Sequence, residues 1–271
     1  MKSFPISHQR SLQQQIRPLL LEEQTDPVIL SVEDQSYVVK FERREPSRTW
    51  LEWLGSLACR IVFKVKVRPK DLRAGGIDHE AQRLIQLAEL QLAVPALYFQ
   101  TDHYIIMEHC GESLEHRLRR TPDAQDLFYA IVDELIALHQ AKQWHGGAQI
   151  RNLTIKDDTI YRIDFEENTG NAMPLAVAQA YDVLLCFNSL ATHLQENIAL
   201  GTDLLCHYLR TAPNPQILVI LQRVDRYLSI LRKPLPLFGK KLQQGKDVRQ
   251  TLFFADVLKA ALAQITPNAT N

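Results

Sequence analysis

The chain has 271 residues, 46% of them hydrophobic, enough to build a full core as one large domain or two lobes. Its 31 lysines and arginines balance 31 aspartates and glutamates, so net charge draws it to neither nucleic acid nor membrane, and a partner of either kind needs a local patch. Cys59, Cys110, Cys186 and Cys206 are far apart and form no short-spaced zinc or redox pair. With no apolar signal segment at the start and no run near the roughly 20 apolar residues of a membrane span, the expectation is a soluble cytoplasmic protein with reduced thiols.

Leu12, Ile16, Leu19 and Leu20 repeat at helical spacing and predict a short amphipathic helix over 11–21. After Asp26-Pro27 the pattern alternates. Residues 28–32, a polar turn Glu33-Asp34-Gln35-Ser36 and residues 37–41 predict a hairpin that opens a sheet-rich N-terminal lobe, residues 1–110. Within it, residues 46–76 form an insert. Trp50, Leu51, Trp53, Leu54, Leu57 and Ala58 fit one side of a helix, and Ile61, Phe63, Val65 and Val67 then alternate with Arg60, Lys64, Lys66 and Arg68 as in a strand. Lys64, Lys66, Arg68 and Lys70 make this the most basic stretch. A solvated strand face explains it better than RNA or anionic lipid does, since no aromatic side chains interleave to stack on bases.

A helix over 77–92 follows, and Tyr104 to Gly111 reads as a buried strand running out into a loop. Residues 111–271 predict a helical lobe. A helix over 124–141 starts at Thr121-Pro122, and others span 175–193, 197–209, 216–231 and 251–265, with Pro213-Asn214-Pro215 and Lys233-Pro234-Leu235-Pro236 as breaks.

The chemistry concentrates between the first two of these helices, in Trp144-His145-Gly146-Gly147-Ala148-Gln149-Ile150-Arg151-Asn152 and Tyr161-Arg162-Ile163-Asp164-Phe165-Glu166-Glu167. An apolar strand ending at a His-Gly turn, a polar loop delivering an Asn, a hairpin turned at Lys156-Asp157-Asp158-Thr159 and a strand ending in Asp-Phe follow the order of the kinase motifs H-R-D-L-x-x-x-N and D-F-G. Upstream, Tyr37-Val38-Val39-Lys40 resembles the V-A-I-K strand that carries the phosphate-binding lysine. A half-buried strand lysine needs a charge partner, and Glu80 on the following helix is the candidate. Lys64 or Lys66 on the alternating stretch remains an alternative to Lys40.

With Lys, Glu, His-Gly, Asn and Asp-Phe in this order, residues 28–190 resemble an atypical small kinase of the protein-kinase-like fold, similar to the lipopolysaccharide Kdo kinases and to the kinase-like subunit of the KEOPS tRNA-modification complex. The resemblance implies an α+β, two-lobed fold with a small antiparallel-sheet N-lobe and a helical C-lobe, and ATP with Mg²⁺ as cofactors. It implies that Lys40 holds phosphates and Glu80 orients it, that Asn152, Asp164 and Glu166 bind the metal, and that His145 braces the loop. Asp182 would anchor the loop backbone, and main-chain groups of Glu108 and Cys110 would meet the adenine. Gly147 stands where the base Asp belongs. There is no glycine before Gly55, so Glu33 and Asp34 occupy the loop expected over the phosphates, and residues 166–173 leave no room for a long activation segment ending in A-P-E. The expected function is a phosphotransferase acting on a small molecule, a glycolipid sugar or itself, with a pseudokinase scaffold and an RNA-modification subunit as the other readings.

Overall fold

The computed structural model describes residues 2–3, 5–43, 49–121, 124–232 and 245–265. Pro122, residues 46–48 of the insert and the Lys233 to Pro236 break fall outside these.

The sheet lobe is built from α1 (Ile6–Leu21) and four antiparallel strands, β1 (Val28–Val32), β2 (Gln35–Phe41), β3 (Leu97–Gln100) and β4 (Tyr104–Glu108), in the order β1-β2-β4-β3. Side chains alternate across β2, and each face meets a different partner. Tyr37, Val39 and Phe41 pack with Leu12 and Ile16 of α1. Val38 packs instead against the core containing Ile77, Ala81, Leu84 and Leu87 of α3 (Gly76–Glu89). The same alternation sends Lys40 toward α3, which fixes the location of the site described below.

The helical lobe holds a small sheet, β5 (Glu112–Ser113), β6 (Leu153–Lys156) and β7 (Thr159–Arg162), with helices α4 (Leu114–Arg120), α5 (Gln125–Gln140), α6 (Thr169–Ala172), α7 (Leu175–Leu190), α8 (Ile198–Thr211), α9 (Pro215–Arg232) and α10 (Lys246–Ile265). Leu135 of α5, Val183 and Phe187 of α7, Leu205 of α8, Leu221 of α9 and Leu258 of α10 meet in one core. Between β6 and β7 both turn residues, Asp157 and Asp158, have positive φ (49° and 58°), as a two-residue hairpin turn matching strand twist requires. Where the lobes join, Gly111 has φ 82°, and a Cβ there would lie 2.0 Å from the Ile155 carbonyl oxygen, so the crossing needs glycine.

Three local expectations fail. First, residues 60–67 are not a strand. Helix α2 (Thr49–Ala58) runs on into a π-helical turn, Cys59–Phe63, which ends at Lys64 in the left-handed conformation (φ 59°), its N–H donating to the Cys59 carbonyl. Second, the insert belongs with the helical lobe, although its place in the chain put it in residues 1–110. Cys59 and Val67 enter the helical core, Phe63 packs edge-on against Tyr181, and Arg223 and Tyr227 of α9 donate to the carbonyls of Val62 and Ile61. Burial of Phe63, Val65 and Val67 against helices, rather than in a sheet, is what produced the alternation. Third, no strand precedes His145, because the amides of His145 and Gly146 donate to a side chain, Asp182, instead of to a neighbouring strand.

Candidate active site

Lys40 lies at the boundary of the lobes with only 7% of its surface exposed. Its Nζ is 2.7 Å from Glu80 Oε2 on α3, 2.6 Å from Asp164 Oδ1 and 3.4 Å from Glu166 Oε2. The Asp164 contact is an aligned hydrogen bond; the Glu80 contact is an ion pair without that alignment. The other Glu80 oxygen accepts from the Phe165 amide at 3.2 Å. Helix α3 thus positions both the lysine and the turn after Asp164.

Burial works against the charge on Lys40, but the carboxylates of Glu80, Asp164 and Glu166 outweigh it and raise its pKa above the ordinary lysine value. At Glu80, almost wholly enclosed, burial wins over Lys40 and pushes the carboxyl up. Asp164 is more open; burial again opposes ionisation, yet Lys40 prevails and the carboxyl is held below its usual value. The consistent state is a charged lysine facing an ionised Asp164, with Glu80 bearing the desolvation. Asp164 has φ 69°, a left-handed conformation unusual for a residue with a side chain, and the lysine contact helps hold it there. Glu80, Asp164 and Glu166 bring carboxylate oxygens within 4.8 Å of one another, an all-oxygen donor set of the kind hard divalent cations take.

The loop carrying His145, Gly147 and Asn152 is anchored from the opposite side. Asp182 of α7, with no exposure, accepts from the His145 amide at 2.6 Å, the Gly146 amide at 2.8 Å and His139 Nε2 at 3.4 Å. His139 Nδ1 in turn lies 2.7 Å from the Tyr208 hydroxyl. Although burial pushes the other way, these donors, the His139 bond foremost, hold the Asp182 carboxyl below its usual value. The His145 ring is fixed as well. Nε2 lies 3.1 Å from the Ile163 carbonyl, which can only accept, so Nδ1 is the acceptor for the Gly147 amide at 3.1 Å. The ring stacks on Phe165 with centroids 4.4 Å apart. Burial and then the nearby Arg162 charge lower its pKa to about 4, so it is neutral.

Asn152 Nδ2 donates to the Gly147 carbonyl at 2.8 Å. A Cβ built on Gly147 would lie 3.2 Å from that amide nitrogen and 3.7 Å from Glu167 Cγ. A side chain at position 147 would therefore press on the Asn152 amide, which would have to give by a few tenths of an ångström, and Glu167 stands on the other side of this glycine.

The other candidates are placed as follows. Lys64 and Lys66 are exposed on the insert; Lys40 is the lysine that meets Glu80. The Glu108 amide already donates to the Ala96 carbonyl, and the Glu108 side chain pairs with Lys156 at 2.9 Å across the lobe junction. Cys110 is buried beside it, its thiol pushed up to about 12, first by burial. Glu33 does not face the cleft. Its carboxylate is 3.1 Å from His8 Nε2 of α1, on the opposite face of β2 from Lys40, which turns that charge away from the cleft.

Sequence reasoning missed two arginines. Arg83, one turn beyond Glu80 on α3, donates to the Trp144 carbonyl at 2.7 Å and to Gln143 Oε1 at 3.0 Å, and its guanidinium lies 4.4 Å above the Trp144 ring. It couples the helix that holds Lys40 to the segment entering the His145 loop. The available signal was the i, i+3 spacing from Glu80, which puts both on the inward side of α3. Arg162 of β7 is buried, and its guanidinium nitrogens have no hydrogen-bond partner among the described residues.

A four-stranded sheet lobe, a lysine held by a glutamate from the adjoining helix and a helical lobe carrying the His145 and Asp164 loops define a protein-kinase-like fold. The comparison with known families agrees. Residues 60–179 match the family model of the RIO domain, an atypical protein-kinase-like family; the match takes in Glu80, the 145–152 loop and Asp164 but not Lys40. A Haemophilus influenzae (strain Rd) protein described as uncharacterized is 30% identical over 150 residues, which is 54% of this chain and 60% of the relative. The chain thus spans less than two thirds of the curated relative it matches.

Proposed function

We propose that the chain is a phosphotransferase that uses ATP with Mg²⁺. The observation that carries this reading is Lys40 Nζ held 2.7 Å from Glu80 and 2.6 Å from Asp164, inside a group of three convergent carboxylates. The raised lysine pKa keeps that cation charged at any physiological pH, as a phosphate-binding group needs. The donor set fits a hard cation. Asp164 and Glu166, with Asn152 close by in the loop, would hold Mg²⁺, which supplies charge neutralisation on the transferred phosphoryl group. Glu80 keeps Lys40 oriented, and neutral His145 ties the Gly147 loop to the strand entering Asp164.

Proton removal from the acceptor hydroxyl falls to Glu167, the carboxylate beside Gly147, the position where the base is expected. As the hydroxyl oxygen bonds to the γ-phosphorus and the bond to the departing diphosphate breaks, the hydroxyl proton passes to Glu167. Base catalysis of this kind is worth about 10²- to 10⁴-fold, the smaller share in a loose phosphoryl transfer dominated by positioning and charge. Only the four-residue α6 separates the Asp164 turn from α7, which leaves no extended platform for a peptide and favours a compact acceptor such as a small molecule or a glycolipid sugar.

Calorimetric titration with ATP, with and without Mg²⁺, tests the site: magnesium-dependent binding is expected, together with ATP consumption that Asp164→Ala abolishes. Unchanged turnover in that variant would end the reading. The glycine at 147 favours a second reading, a kinase-shaped regulator without transfer. Gly147→Asp separates the two, since activity appearing only in that variant means that the natural chain binds nucleotide without using it.

A further inference from the structure

We propose that the insert is a docking face for an anionic lipid bilayer. Its helix α2 is held from one side only. Glu52 pairs with Arg73 at 2.9 Å, the Ser56 hydroxyl donates to the Val67 carbonyl at 2.6 Å, Gly55 packs against Leu72, and Cys59 is buried. The opposite side carries Trp50, Trp53, Leu54, Leu57 and Ile61 at helical spacing, with 64%, 59%, 46%, 37% and 45% of their surfaces exposed. A contiguous stripe of five large apolar side chains, two of them tryptophan, is not the scatter of single exposed hydrophobics that an ordinary surface shows.

The charges beside the stripe select its occupant. Arg60, Lys64, Lys66 and Lys70 are exposed at its C-terminal end, and among the described residues no carboxylate pairs with Arg60, Lys64 or Lys66. The insert's own acids are engaged elsewhere, Glu52 with Arg73 and Asp71 with Arg68 at 2.7 Å. Apolar and cationic zones are therefore separate and adjacent. Tryptophan and leucine on one face, bordered by unpaired lysines, suit the boundary between acyl chains and anionic headgroups. A protein interface fits less well because lysine is depleted there. Single-stranded nucleic acid fits less well because its sites interleave aromatic and cationic side chains along one groove, rather than segregating them. The turn at Pro69–Leu72 joins this face to the 166–172 segment, with Asn168 Nδ2 lying 3.5 Å from the Asp71 carbonyl. The docking face and the acceptor side of the cleft thus share one lobe. The inference stands on the insert alone and does not depend on phosphoryl transfer.

The test is partitioning of the full chain onto vesicles of phosphatidylcholine alone or mixed with phosphatidylglycerol, by co-sedimentation and tryptophan emission. Two of the three tryptophans lie on the stripe and the third, Trp144, is buried, so emission reports the docking face directly. Binding to the anionic vesicles with a blue shift is expected, weakening as salt rises. Trp50→Ser/Trp53→Ser should abolish the shift, and Lys64→Glu/Lys66→Glu should lower partitioning roughly tenfold or more. All four side chains are exposed, and an unchanged melting temperature in the charge variant keeps the test valid if the tryptophan variant misfolds. Absence of partitioning overturns the proposal. So does RNA binding without vesicle binding, or a dimer in light scattering that dissociates in the tryptophan variant without vesicle binding.

Discussion

Two charged clusters flank the loop that runs from His145 to Asn152, and they are built on opposite plans. At Asp182 one carboxylate, wholly buried, is surrounded by two backbone amides and His139, so its donors are fixed by the fold. At Lys40 one ammonium is shared among Glu80, Asp164 and Glu166, with more carboxylates than the lysine can neutralise, and Asp164 reaches toward solvent. A satisfied buried carboxylate is suited to holding a loop in one place. An oversupplied cluster at a cleft is suited to exchanging partners, at the expense of some stability.

The largest test of this contrast is Asp182→Ala, which leaves two amides and a histidine buried without an acceptor. A loss of about 4 kcal/mol in urea unfolding is expected, because breaking a buried charged network exposes nothing to water that could compensate. A loss below about 1 kcal/mol would erase the distinction between the clusters.

Acid titration comes next. His145 has an ordinary pKa near 6.5 when unfolded and about 4 when folded, so the unfolded chain takes up the proton first. Stability is therefore full above pH 6.5, falls by about 3 kcal/mol as pH drops toward 4, and levels off below. Asp182, with its folded pKa depressed, adds a further loss at lower pH, as the pH falls through that folded value. Glu80, with its pKa raised, works in the other direction and favours the fold as pH drops. Burial also holds His139 below its ordinary value and adds to the same fall, so urea unfolding at a series of pH values should show a combined step that His145→Gln reduces.

Arg83→Met is expected to cost about 2 kcal/mol by removing charge-assisted hydrogen bonds to Trp144 and Gln143. Its diagnostic effect is weaker nucleotide affinity with the Lys40 cluster intact in composition, read by calorimetry. The smallest stability change belongs to Asp164→Ala, within about 1 kcal/mol, since that carboxylate is partly screened by solvent and two others remain beside Lys40. The same variant should lose magnesium-dependent ATP binding. Asp182→Ala and Asp164→Ala would then show opposite profiles, one in the melting curve and the other in the titration.

Local signals made much of this legible in the sequence. The alternation in Tyr37 to Phe41 gave β2 and pointed to Lys40, the 3.6 period gave α3 and α5 to within a few residues, and the paired aspartates marked the β6–β7 turn. The contact of Lys40 with Glu80, 40 residues apart, was inferable because an enclosed lysine requires a carboxylate. Other features depended on tertiary placement. Phe63, Val65 and Val67 alternate because they pack into the helical core, Phe63 against Tyr181 of α7, a pattern that period alone cannot distinguish from a strand. Strand β3 is four residues long and offers too few alternations to stand out. Arg83 looked like any helix arginine until Trp144 was placed beneath it.

The allegiance of residues 49–72 to the helical lobe has a mechanical consequence. Between β2 and α3 the backbone passes from the sheet lobe down to the helical lobe and back, and it crosses again at residues 108–112. Among the described residues, the return at 73–76 and the crossing at 108–112 join the two halves at separate places. A second link of this kind favours rocking of the lobes over sliding. The return tether passes through Gly75 and Gly76, the first bonded to the Glu166 carbonyl at 2.7 Å and the second at φ 70°, so the pivot lies directly beside the acidic cluster.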